Sequence, residues 1–176
     1  ITPNQITFIS LLVSAASAIF FAVSSPIAGG LLAQFTSILD GVDGEIARLK
    51  FLKSKFGELF DSILDRYGDY LIVMGMTYSW YSYTGHIATL LVGATALAGF
   101  PTSMLFKEKY RNVYGQPFIS GMHDGPLRYF AANRDVRLFI IMLGGIINLV
   151  PAALIVLAVI THLQTFYRLY NVRKLY

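Results

Sequence analysis

Apolar residues gather in six stretches, 6–23, 27–39, 71–83, 87–106, 138–150 and 152–163. Several fall short of the roughly 20 residues that cross a hydrocarbon core of about 30 Å. Each short stretch is prolonged on one side by a polar segment that still suits a helix. The pattern predicts six transmembrane helices, near 3–24, 26–51, 56–83, 85–110, 133–149 and 151–171. Breaks fall at "SSPIAGG", "YTG" and "NLVP", where Pro and Gly interrupt the pattern. "TPNQ" reads as a capping box, with Thr2 as N-cap, Pro3 at the first helical position and Gln5 at the third. The expected fold class is an all-α polytopic membrane protein.

Composition supports a lipid solvent. Of 176 residues, 55% are hydrophobic and 14% charged, against about a quarter charged in a soluble domain. The absence of cysteine excludes disulfides, thiolate metal sites and cysteine nucleophiles. No signal peptide is expected, since Ile6 to Val23 lacks a basic flank before it and a cleavage site after it. Residues 1–176 read as one domain without internal repeats, and a start at Ile1 rather than Met leaves room for a segment upstream.

Placement of charge says more than the net +4. Arg48, Lys50, Lys53 and Lys55 fall between helices 2 and 3, and Lys107, Lys109, Arg111, Arg128, Arg134 and Arg137 between helices 4 and 5. Arg168, Arg173 and Lys174 come at the C-terminal end, while the opposite three turns carry no Lys or Arg. The positive-inside rule then puts both termini and both long connections in the cytoplasm. Tyr110, Tyr114, Phe118, Tyr129 and Phe130 in the 107–133 connection suit either an interfacial loop or a lid over an acceptor site.

One stretch conflicts with a purely lipid-embedded reading: "LDGVDGEIARLKFLKSKFGELFDSILDR", Leu39 to Arg66. At 1.5 Å per residue, Asp40 and Asp43 lie about 21 and 26 Å from Pro26, and Asp65 and Asp61 about 27 and 33 Å from Tyr83. The four acids come level near the inner edge of the hydrocarbon core, and converge if helices 2 and 3 are neighbours. Asp40, Asp43, Gly44 and Ala47 share one face of helix 2, and Gly57, Asp61, Asp65 and Asp69 form a stripe on helix 3. Clustered anions at this depth must protonate or bind something positive. Hard divalent cations such as Mg²⁺ suit carboxylate oxygens and keep positions open for substrate phosphates. Two such ions would clamp a phosphoryl group in displacement, with Gly44 and Ala47 giving close approach and Arg48 pairing with phosphate. The plainer alternative pairs the acids with Lys50, Lys53, Lys55 and Arg66 as an interfacial charge cluster.

The run Asp40-x-x-Asp43-Gly44-x-x-Ala47-Arg48, then eight residues, Gly57, three residues, Asp61, three residues, Asp65 resembles the signature of the CDP-alcohol phosphotransferase family. The resemblance implies transfer of a phosphoalcohol from a CDP-alcohol to an acceptor hydroxyl, with release of CMP. It implies that Asp40, Asp43 and Asp61 hold two divalent cations, Mg²⁺ or alternatively Mn²⁺, and that Asp65 is the general base. It also implies that Gly44, Ala47, Arg48 and Gly57 shape the nucleotide site. Asn4 and Thr7 in "PNQIT" resemble the start of the family's first helix and are candidates to line it, the alternative being a helix start alone. A homodimer follows from the same resemblance, while the positive-inside pattern puts the active site on the cytoplasmic face of the cell membrane.

"FDSILDRYGDYL" resembles the branch that handles inositol phosphates, including phosphatidylinositol-phosphate and di-myo-inositol-phosphate-phosphate synthases. The expected partners are a CDP-alcohol donor, either CDP-inositol or CDP-diacylglycerol, an inositol-phosphate acceptor and membrane lipid, with no nucleic acid. Arg134 and Arg137 share a helix face and, with Lys107, are candidates for the acceptor phosphate. Their alternative is ion pairing with Asp135 or Asp69, and Asp69 itself either touches the acceptor or forms a structural pair. His123-Asp124 reads as plain loop, His86 and His162 as structural, and Trp80 as an outer-interface residue. Two rival functions are an aspartate-rich membrane prenyltransferase and a cation transporter using intramembrane carboxylates. The Gly-x-x-Ala-Arg tail argues against the first, and the lack of repeat symmetry against the second.

Overall fold

The computed structural model describes residues 2–51, 54–119 and 133–175. Among them are six helices and no strand: α1 Pro3–Ala22, α2 Pro26–Leu49, α3 Lys55–Thr84, α4 Ile87–Tyr114, α5 Arg134–Ile146 and α6 Val150–Leu175. Three of them, α1, α4 and α6, are long and apolar enough to cross a membrane. Helix ends follow local chemistry. The Thr2 N–H donates to Gln5 Oε1 at 2.9 Å, and Pro3 and Pro26 open α1 and α2 where no intrahelical N–H is required. Gly85 closes α3 with φ +66°, a left-handed conformation that costs glycine little. Helix α4 continues past its expected end near 110 to Tyr114, so the first eight residues of the expected 107–133 connection are helical. Lys53, His123, Asp124, Arg128, Tyr129 and Phe130 lie outside the described residues.

Helix α1 is inverted relative to a water-soluble helix. Its buried face carries Thr7, Ser10, Ser14 and Ser17 with Ile6 and Phe21, while Phe8, Ile9, Leu12, Ile19 and Phe20 face outward. In hydrocarbon the apolar side needs no cover, and small hydroxyl residues let helices approach closely. Ser17 Oγ donates to the Gly29 carbonyl of α2 at 2.7 Å. On the other flank, a Cβ at Gly68 would lie 2.7 Å from Ser14 Oγ, and one at Gly75 would strike the Ala18 backbone. The absent side chains are what seat α1 against α3.

This seating corrects one expectation. Helices α2 and α3 are not packed neighbours; α1 packs against both and holds them apart. Two facing acidic stripes offer little apolar surface for a direct seam, and the serine face of α1 supplies one. Elsewhere α5 packs on α2, where Gly30 approaches the Met142 carbonyl, and α6 packs on α4, where Gly99 accommodates Thr161. Phe21, Ile72, Val73, Met76, Phe100, Leu138, Ile141, Leu154 and Leu157 form the buried core. Arg168, counted above only as a C-terminal positive charge, is fully buried, donating to Ser103 Oγ at 2.6 Å and lying over the Phe118 ring.

Candidate active site

Four helices bring the predicted residues to one end of the bundle. Helix α2 presents Asp40 and Asp43, α3 presents Asp61, Asp65 and Asp69, α1 contributes Thr7, and the first turn of α5 contributes Arg134 and Arg137. Ser37 Oγ on α2 donates to Asp135 Oδ1 at 2.7 Å, tying the start of α5 beside the acids. Asp43, Asp65 and Asp69 are buried.

The acids divide into two groups. On one side Arg134 Nη1 lies 2.9 Å from Asp65 Oδ1 and 3.1 Å from Asp40 Oδ1, while its Nε donates to Asp69 Oδ1 at 3.2 Å. Arg137 Nη2 donates to Asp69 Oδ2 at 2.9 Å, and Arg66 Nη1 stands 3.4 Å from the same oxygen. The Arg137 guanidinium also stacks 4.4 Å over Phe100. On the other side Thr7 Oγ1 donates to Asp43 Oδ2 at 2.7 Å and reaches Asp61 Oδ1 at 3.5 Å. No ion pair among the described residues joins Asp43 or Asp61 to a basic side chain.

Among the described residues, five carboxylates thus meet three guanidiniums, two fewer cations than acids. Oxygens of Asp40, Asp61 and Asp65 lie within 4.8 Å of one another, close enough to share a metal ion. An all-oxygen, anionic donor set of this kind fits Mg²⁺ or Mn²⁺ and not a soft metal. The resemblance groups Asp40, Asp43 and Asp61, whereas the closest set of oxygens substitutes Asp65 for Asp43. Asp40 and Asp61 belong to both groups.

Beside Asp43 and Asp61 opens a cavity of about 530 Å³. Its lining includes all six residues expected at the nucleotide: Asn4, Thr7, Gly44, Ala47, Arg48 and Gly57. A Cβ at Gly44 would meet only Arg48 Nη2, at 3.7 Å, so packing does not demand glycine there. Arg48 is exposed and pairs with Glu45 at 2.7 Å. Asp40 and Asp65 are not among the lining residues; they lie beyond Asp61, on the Arg134 side.

Sequence reasoning missed four further lining residues, Pro3, Ser54, Lys55 and Glu58. Ser54 Oγ accepts from the Gly57 N–H at 2.9 Å and caps α3. A serine just ahead of an expected helix is a visible N-cap signal, but nothing in it points to a cavity. Lys107 is half-buried on α4.

Fold and site together define an all-helical bundle of membrane type, with a metal-capable acidic cluster opening into a cavity large enough for a nucleotide. The chain belongs to the CDP-alcohol phosphatidyltransferase family, whose sequence model matches residues 1–166. It is 36% identical over 177 residues to a bifunctional IPC transferase and DIPP synthase of Aquifex aeolicus, covering 98% of this chain and 39% of that protein. It is 27% identical over 174 residues to an archaetidylinositol phosphate synthase of Pyrococcus horikoshii, covering 99% of this chain and 85% of the other. The chain thus spans well under half the length of the first of these relatives. Its fold matches the Mycobacterium tuberculosis phosphatidylinositol phosphate synthase solved with CDP-DAG bound, with a TM-score of 0.80 at 21% identity, covering 98% of this chain and 86% of that one.

Proposed function

We propose that the chain transfers a phosphoalcohol group from a CDP-alcohol to the hydroxyl of an inositol phosphate and releases CMP. The observation that carries this reading is the cavity, which gathers the six signature-linked residues around Asp43 and Asp61. CMP lies along Gly44, Ala47 and Gly57, with Arg48 toward phosphate. Asp40, Asp43 and Asp61 hold the divalent cations, Mg²⁺ or Mn²⁺, which when bound neutralise the diphosphate. Asp65 accepts the proton of the attacking hydroxyl. Its buried position beside Arg134 gives it a defined orientation and keeps bulk water away. Arg134 and Arg137, with Lys107, present N–H groups to the acceptor's phosphate. Positioning and charge neutralisation supply most of the catalysis in such a transfer.

The relatives' names support an inositol-phosphate acceptor, and the CDP-DAG bound to the mycobacterial protein supports a CDP-alcohol donor. Residues 1–176 act as one domain. All six helices cross the membrane, with both ends and the site on the cytoplasmic face; the inverted burial of α1 and the one-sided distribution of Lys and Arg support this. The unit is a homodimer, as the resemblance implies.

The test is CMP release by the purified protein with Mg²⁺ and myo-inositol 1-phosphate. CDP-diacylglycerol and CDP-inositol are supplied in parallel, with Asp65→Asn as control. Release from one donor, lost in the variant, selects the branch. Release from neither, with Mg²⁺ present, contradicts the reading.

A further inference from the structure

Arg134 and Arg137 are placed as a pair of acceptor contacts, yet the structure treats them differently. Arg137 is locked: its side chain is 3% exposed, stacks on Phe100 and donates to Asp69. Arg134 is divided between two tasks. Its Nε makes a directed hydrogen bond to Asp69, whereas Nη1 reaches Asp40 and Asp65. The Nη1 contacts are close in distance, but this buried nitrogen has no hydrogen bond of acceptable geometry. Charge attraction alone holds it there. A guanidinium can therefore stay hinged on Asp69 through Nε while Nη1 swings off the other two acids.

Those two acids are also members of the trio able to hold a metal. In the proposed function Asp40 holds metal and Asp65 is the base. A guanidinium and a divalent cation cannot both use the same oxygen of Asp40, because they repel at contact distance in a buried site. We propose that Arg134 is a built-in counter-cation that competes with the metal for Asp40 and is drawn off Asp40 and Asp65 by the acceptor's phosphate, so that metal and acceptor bind cooperatively. This coupling rests on the metal and acceptor roles proposed above. Reciprocity is required: whatever the phosphate monoester does for metal affinity, the metal does for the acceptor. The device also keeps Asp65 charge-paired until an acceptor hydroxyl has arrived.

The test is Mn²⁺ binding to the purified chain in detergent, read from the electron paramagnetic resonance signal of free Mn²⁺, without nucleotide. Myo-inositol 1-phosphate is expected to tighten Mn²⁺ binding about 10-fold, and unphosphorylated myo-inositol to leave it unchanged. Arg134→Gln is expected to bind Mn²⁺ about 10-fold more tightly than wild type without any acceptor, and to lose the response. Arg134→Lys, which retains the charge, is expected to bind Mn²⁺ no more tightly than wild type. Equal Mn²⁺ affinity in wild type and Arg134→Gln, unmoved by the phosphate, would overturn the coupling and leave the metal reading intact. No Mn²⁺ binding in either protein would overturn both. The wild-type response to phosphate stands whether or not the variants fold.

Discussion

The two sides of the acidic cluster are built from the same residue type and handled in opposite ways. Toward α5 the protein neutralises its own acids, with Arg66, Arg134 and Arg137 converging on Asp69 and Arg134 extending to Asp40 and Asp65. Toward α1 it supplies only a hydroxyl, Thr7, and leaves Asp43 and Asp61 facing a cavity walled by Gly44, Ala47 and Gly57. A cluster meant purely for structure would be neutralised on both sides, since buried unpaired charge is strongly unfavourable. In the proposed function, the side left open is where outside cations and a nucleotide bind.

The largest expected effects are on Asp61, which with Asp40 belongs to both possible metal sets, and on Asp65. Asp61→Asn and Asp65→Asn should each lower the rate of CMP release about 10³-fold, by loss of charge at the metal and of the base respectively. Retention of more than a tenth of the rate in either would break the division of roles.

Next comes the neutralised side. Asp69→Ala should destabilise the fold by about 3 kcal/mol, because Arg137 would remain buried with its acid removed. Thermal unfolding in detergent measures it, and an unchanged midpoint would show that the Arg–Asp69 cluster contributes nothing to folding.

A pair of glycines sharpens the contrast between packing and access. Gly75→Ala must displace the Ala18 backbone and should cost about 2 kcal/mol. Gly44→Ala meets only the mobile end of Arg48, so stability should hold or rise slightly, while the Michaelis constant for the donor rises about 10-fold as the methyl group enters the cavity. Equal destabilisation by the two substitutions would contradict the idea that Gly44 is kept for a ligand. The smallest effect is expected at Ser37→Ala. Losing its bond to Asp135 should cost about 1 kcal/mol or less, yet loosen the first turn of α5 and weaken acceptor binding more than donor binding.

Much of this site was legible in the chain because its chemistry is local. The spacing from Asp40 to Asp65 fixes which residues share a helix face, and helix limits followed from Pro3, Pro26 and Gly85 to within a few residues. What eluded the sequence was arrangement between helices. The expected α2–α3 contact is replaced by a wedge of α1, although Thr7, Ser10, Ser14 and Ser17 recur at helical spacing and mark its buried face. In a membrane protein such hydroxyls are the packing signal, whereas a reading tuned to apolar stripes passes over them. Arg168 escaped for a similar reason: counting positive charges sets orientation and cannot say which arginine turns inward beneath Phe118. Ser54, Lys55 and Glu58 reach the cavity because the bundle brings the start of α3 opposite the start of α1, a relation that spacing does not encode.

The central claim is that the open side of the cluster holds a cytidine nucleotide through divalent metal. The most direct test is calorimetric titration of CMP into the purified protein, with and without Mg²⁺. The account predicts saturable binding that requires Mg²⁺ and disappears in Asp61→Asn. Binding of equal strength in the absence of metal, or none in its presence, would contradict it.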